Sequence, residues 1–153
     1  MNLHRRSFLT MSASLLTVAT TAALWPLRAL AQWVRPDAAF EAKAMDAVYA
    51  SLGGVPEASS EIVFGTPEIA ENGAVVPVSV TSKIPGTDQI AILVEMNPNP
   101  LVAMFMFPEG TEPMVSTRVK VAQTCKLHAL AHANGKWYST SRETKVTLGG
   151  CGG

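Results

Sequence analysis

Charge is scarce in this chain: 16% of its 153 residues are Asp, Glu, Lys or Arg, and the two signs cancel. That balance excludes the basic footprint by which proteins hold nucleic acid. Two cysteines cannot build a multi-bridge disulfide framework. The sequence contains no phosphate loop, no nucleophile elbow and no paired catalytic carboxylate motif, which removes the enzyme classes that depend on them. It has no internal repeat, and its longest apolar run falls short of the roughly 20 residues a membrane span needs. What remains is a chain with 48% hydrophobic residues, enough for the packed core of one domain.

The unusual parts are the ends. His4-Arg5-Arg6-Ser7-Phe8-Leu9-Thr10, an apolar stretch to about Leu24 and the small-x-small triplet Ala29-Leu30-Ala31 have the layout of an export signal. The paired Arg5 and Arg6 make it a twin-arginine leader addressed to the periplasm, with residues 1–31 removed. Removal of Arg5, Arg6 and Arg28 leaves three more acidic than basic side chains. The twin-arginine route exports folded proteins. On a chain without a cofactor motif, it points to folding with a partner before export.

At the other end, Val146-Thr147-Leu148 runs into Gly149-Gly150-Cys151-Gly152-Gly153. Glycine opens backbone conformations closed to other residues and offers nothing to pack, so this stretch reads as a flexible arm, residues 149–153. Extended, it places the Cys151 sulfur about 10 Å beyond Leu148, deep enough to enter another protein's pocket. No His or cation adjoins Cys151 in sequence to lower its pKa, and the Gly153 carboxylate disfavours the thiolate. The thiol is a handle rather than a catalyst. A terminal cysteine could also tether a structural or adhesive β-sandwich through an intermolecular disulfide, or bridge to Cys125.

Between the ends, residues 32–148 read as one helix followed by a β-sandwich domain. Asp37 is placed to cap a helix whose stripe is Phe40, Ala44, Met45, Val48 and Leu52, stopped by Gly53-Gly54. Strands follow at Ile62-Val63-Phe64 and Ile69-Ala70, with Asn72-Gly73 as a hairpin cue. The alternation of Val76, Val78 and Val80 predicts a half-buried strand that Pro77 assigns to an edge. Pro85-Gly86-Thr87-Asp88 predicts a turn. Ile90 to Val94 and Leu101 to Phe107 predict near-continuous apolar strands. The second is apolar at both parities and needs cover on both faces, from the helix or from a second subunit. Val115 to Val121 alternates, Cys125 shares the inward parity of Leu127, Ala129 and Ala131, and Asn134-Gly135 turns into a last strand from Trp137 to Leu148. About seven strands at regular spacing indicate a mainly β fold.

His128 and His132 invite a metal reading. On a strand they stand about 13 Å apart, too far to chelate one ion, and a solvent-facing pair is expected instead. Met96, Met104, Met106 and Met114 suggest a soft-metal site, but no His or Cys accompanies them; Met104 and Met106 are expected in the core. No metal site, cofactor or catalytic residue is therefore assigned.

The Gly149 to Gly153 ending after the Lys145-Val146-Thr147-Leu148 strand, the apolar β-rich body and the leader resemble the SoxY family of the bacterial Sox thiosulfate-oxidising system. The resemblance implies an immunoglobulin-like sandwich and a periplasmic sulfur carrier, not an enzyme, with intermediates held covalently on Cys151. It also implies partners: a SoxZ subunit in a heterodimer or higher assembly, and visiting enzymes comprising a c-type cytochrome, a sulfate-releasing hydrolase and a sulfur dehydrogenase.

Overall fold

The computed structural model describes residues 34–147, and a compact unit begins at Pro36. Two short helices, α1 (Asp37–Glu41) and α2 (Met45–Ser51), precede the strands β1 (Glu57–Ala58), β2 (Ile62–Gly65), β3 (Ile69–Ala70), β4 (Val76–Ser82), β5 (Thr87–Val94), β6 (Leu101–Met106), β7 (Met114–Val119), β8 (Cys125–Ala133) and β9 (Lys136–Val146). The larger sheet runs β1-β9-β8-β5-β6, with β3 also on β9; the smaller runs β2-β4-β7. Together they form a mainly β, immunoglobulin-like sandwich. No helix of the described residues is long and apolar enough to cross a membrane.

Strand parity builds the core. Ile62 and Phe64 of β2 and Val76, Val78 and Val80 of β4 point inward. They meet Ile90, Ile92 and Val94 of β5 and Leu127, Ala129 and Ala131 of β8. The opposite parity of the larger sheet makes a second layer, where Ala91, Leu93, Leu101 and Leu130 lie under Ala39 and Val48 of the helices. This is why β5 reads as a continuous apolar run: both of its faces are buried. The helices supply the second cover for Leu101 and, in part, for Met104.

Four local expectations change. The single helix is two, because Ala42 (ψ 141°) and Ala44 (φ −139°) are extended. Asn99, from the β5–β6 turn, donates to the carbonyls of Phe40 (3.0 Å) and Ala42 (3.4 Å) and so takes up acceptors a continuous helix would use. Asp37 lies in the first turn of α1 and is not its cap; Pro36 holds the N-cap position. Gly53 and Gly54, at φ +100° and +138°, do end α2. Asn72-Gly73 makes no hairpin. Asn72 Oδ1 instead accepts the Ala74 amide (2.9 Å) and starts a 3-10 turn, Gly73–Val75, that carries the chain from one sheet to the other.

Pro77 lies on the central strand of the smaller sheet, contrary to the edge assignment. The ladder from β2 reaches only Ser79 to Ser82, so the missing amide falls where β4 has no neighbour on that side. At the other turns expectation and structure agree. Gly86 takes φ +77°, and Asn134 and Gly135, at φ 53° and 78°, close the tight β8–β9 hairpin.

Candidate functional site

Cys151 and its flanking Gly149, Gly150, Gly152 and Gly153 lie outside the described residues, as do Leu148 and the leader with Arg5 and Arg6. What the structure gives is the platform from which the arm leaves. β9 ends at Val146, and it is held on both sides there. On one side β8 pairs Cys125 with Thr144, and Thr124 Oγ1 accepts the Val146 amide at 2.9 Å. On the other, β3 pairs in parallel, Ile69 with Lys145 and Ala70 with Val146. The Lys145 amide donates to Glu68 O (2.9 Å) and the Thr147 amide to Ala70 O (3.2 Å).

Side chains tighten the same point. Thr144 is fully buried, and its hydroxyl donates to Pro67 O at 2.9 Å and lies 2.9 Å from the Thr66 hydroxyl. Arg142 reaches the Phe64 carbonyl at 3.2 Å. Gly73 passes so close that a Cβ there would stand 2.5 Å from Val121 O and 2.9 Å from a Val146 methyl. The end of β9 is thus fixed by backbone ladders on both edges. Thr66, Thr124, Thr144, Gly73 and β3 were not legible as a clamp, because each acts through a neighbour distant in sequence. The nearest sequence signal, Asn72-Gly73, suggested a different turn.

The other candidates separate. Cys125 is a free thiol, 7% exposed, facing inward as its parity requires. Burial pushes its pKa up and Glu95 adds to this, while backbone hydrogen bonds from Met96 and Glu95 act the other way. A protonated, enclosed thiol is a poor nucleophile.

His128 is not the solvent-facing residue expected. It is half-buried, and its Nε2 is enclosed without a hydrogen-bond partner. Burial pulls its pKa down against the opposing pull of Glu95. His132 has separate company: its Nδ1 lies 2.6 Å from Asp88 Oδ1 and its ring 5.0 Å from that of Trp137. The two imidazoles share no ligand set, and among the described residues no group of three or more His, Cys, Asp and Glu side chains could hold a metal. Met104 packs under the helices, but Met106, expected inside, is 40% exposed at the end of β6.

The family model of the sulfur oxidation protein SoxY matches residues 48–151, from α2 through the cysteine. The chain belongs to the SoxY family. The structure of the sulfur carrier protein SoxY from Chlorobium limicola f thiosulfatophilum is similar at 43% identity and a TM-score of 0.60, over 67% of this chain and 94% of that one. A superoxide reductase (neelaredoxin) from Ignicoccus hospitalis aligns at 20% identity and a TM-score of 0.47, over 56% of this chain and 80% of its own. Comparison with curated proteins gave no match. A SoxY protein belongs to sulfur oxidation, and the similar solved structure is that of a sulfur carrier.

Proposed function

We propose that this SoxY-family chain is exported by the twin-arginine route as a leader of residues 1–31 and a body of residues 32–148. In the periplasm it carries thiosulfate-oxidation intermediates on Cys151 of the arm, residues 149–153, without catalysing a step itself. The observation that carries this reading is the family match reaching residue 151, together with a strand that is clamped up to Thr147 and followed by glycines around one thiol.

The Cys151 thiol and the terminal sulfur of thiosulfate join in an S–S bond, releasing one proton and passing two electrons to a c-type cytochrome. Water then attacks the outer sulfonate; a hydrolase releases sulfate and leaves a persulfide on Cys151. A sulfur dehydrogenase oxidises that outer sulfur to a sulfonate with three oxygens from water, releasing protons and passing six electrons to a c-type cytochrome, and a second hydrolysis releases sulfate and restores the thiol. In each step the protein supplies a covalent tether and a fixed root, while reactivity comes from the visiting enzyme's pocket. A SoxZ-like subunit completes the carrier.

Incubation with thiosulfate and the oxidising partners, followed by intact-mass measurement, tests the reading. Thiosulfonate and persulfide increments are expected on the C-terminal peptide and none on Cys151→Ser, whose fold is unchanged. Increments on the Ser variant, or only a mixed disulfide on the wild type, would sink it. Gly150→Trp is expected to keep small-reagent alkylation of Cys151 and to slow turnover by the enzymes.

A further inference from the structure

Every sheet has edges, and an edge strand left with unpaired amides and carbonyls is a template for another strand unless it is short, charged or broken by proline. In this sandwich most edges are blunted. β1 and β3 are two residues each, β2 is four and ends at Gly65, and β7 carries Arg118. β6 is the exception: Leu101-Val102-Ala103-Met104-Phe105-Met106 is six residues without a charge or a proline, at the end of the larger sheet.

The ladder fixes which of its backbone groups are free. The Phe107 amide donates to Asp88 O at 2.8 Å, and the register pairs Phe105 with Ile90 and Ala103 with Ile92. In an antiparallel pair bonded positions alternate, so Phe107, Phe105 and Ala103 turn their amides and carbonyls toward β5. Met104 and Met106 turn theirs away, and among the described residues no strand lies on that side.

Side chains tell the same story. Val102, Ala103, Phe105 and Phe107 pack against the sandwich core, yet they stay partly exposed, as does Val115 of β7 across from them. On the opposite flank the inward-pointing Ile62, Phe64 and Thr144 are 4%, 5% and 0% exposed. Among the described residues no further strand covers Phe105 and Phe107 along β6. Met106 and Met114, 40% and 57% exposed, lie on the outward parity of β6 and β7.

We propose that β6 is the seam to which a second subunit adds an edge strand, hydrogen-bonded to the backbones of Met104 and Met106 and covering Phe105 and Phe107 with apolar side chains. This rests on the reading that the chain works beside a SoxZ-like subunit, and it names where and how that subunit binds. An extended backbone is the occupant because it alone meets two outward amide–carbonyl sets spaced two residues apart; a helix would leave them unpaired.

Amide-resolved hydrogen exchange on the chain with and without the purified SoxZ-like subunit, joined to a proline test, decides it. The Met104 and Met106 amides are expected to exchange freely in the chain alone and to gain at least about tenfold protection in the complex. Met104→Ala and Met104→Pro lose the same packing, but only the second loses the outward amide. The alanine variant is expected to bind about as well as wild type and the proline variant about tenfold or more weakly, with unchanged circular dichroism for both. A complex that leaves both amides unprotected, or that forms equally well with the proline variant, overturns the seam while the subunit reading stands. Protection of those amides in a homodimer of this chain overturns the choice of partner. If no complex forms under any condition, the subunit reading falls and the seam with it.

Discussion

The two flanks of the sandwich are finished differently. On one, β9 is covered by β1 along its start and β3 along its end, and buried Thr144 is bonded to the segment between β2 and β3. On the other, β6 ends the sheet with half-exposed phenylalanines and, among the described residues, no strand on its outer side. The closed flank carries the strand that leads toward Cys151; on the open flank no further strand lies among the described residues. In the carrier proposed above, the closed flank would fix the root of the Cys151 segment and the open flank would hold the second subunit. Stability should therefore be concentrated at the closed flank and association at the open one.

The sharpest way to break that comparison is at Gly73. A Cβ there meets Val121 O, and that segment is held because the Val121 amide donates to Gly73 O at 2.7 Å. Gly73→Ala should cost about 1–3 kcal/mol in chemical denaturation and speed exchange of the Val146 and Thr147 amides. An unchanged midpoint would show that the root is not tightly packed. Next is Thr144→Val, which keeps the shape but leaves Pro67 O without its donor; about 1–2 kcal/mol is expected from the same measurement. Cys125, on the neighbouring strand, should alkylate far more slowly than Cys151 in the folded chain. Equal rates would contradict its burial.

How much of this was legible depends on distance along the chain. Parity placed Cys125, Val76, Val78 and Val80 inward, because alternation is a property of the strand itself. The glycine-flanked thiol was visible for the same reason. The helix break at Ala42 was not, since it depends on Asn99, a residue in a distant turn. Pro77 was read as an edge marker from a rule about whole strands, while β2 covers only part of β4. The clamp at Thr144 joins residues 77 and 78 positions apart. The apolar parity of Leu101 to Phe107 announced a need for cover on a second face, which the helices meet at Leu101 and in part at Met104; which backbone groups of β6 face outward needed the ladder.

A smaller effect tests the outer face between the flanks. His128 is held neutral with Nε2 enclosed; Ser141 of β9 and Leu93 of β5 flank it in register, and the charges that act on it are Glu95 and Lys126. Its folded pKa lies below the ordinary value of 6.5. The unfolded chain then binds the proton first, so this contribution to stability is complete above about pH 6.5 and is lost as pH falls toward the folded pKa. His128→Gln should flatten that part of the stability profile. A wild-type profile independent of pH between about 5 and 7 would remove the argument.

The smallest expected effect on folding is the most telling for the comparison. Met106 stands at the open edge, 40% exposed, beside Gln89 of β5 rather than in the core. Met106→Lys removes little buried area, and its ammonium can reach water, so the chain alone should unfold within about 0.5 kcal/mol of wild type. If β6 receives a strand, a lysine there acts as edge charges do elsewhere and opposes the pairing. Val63→Lys, on the far flank at a comparably exposed site of 50%, should be equally harmless to folding and should leave association untouched. The pair thus separates a general penalty for surface charge from one specific to the seam. Loss of stability in Met106→Lys alone would mean that the open flank is already closed in the free chain, and the contrast between the two sides would no longer hold.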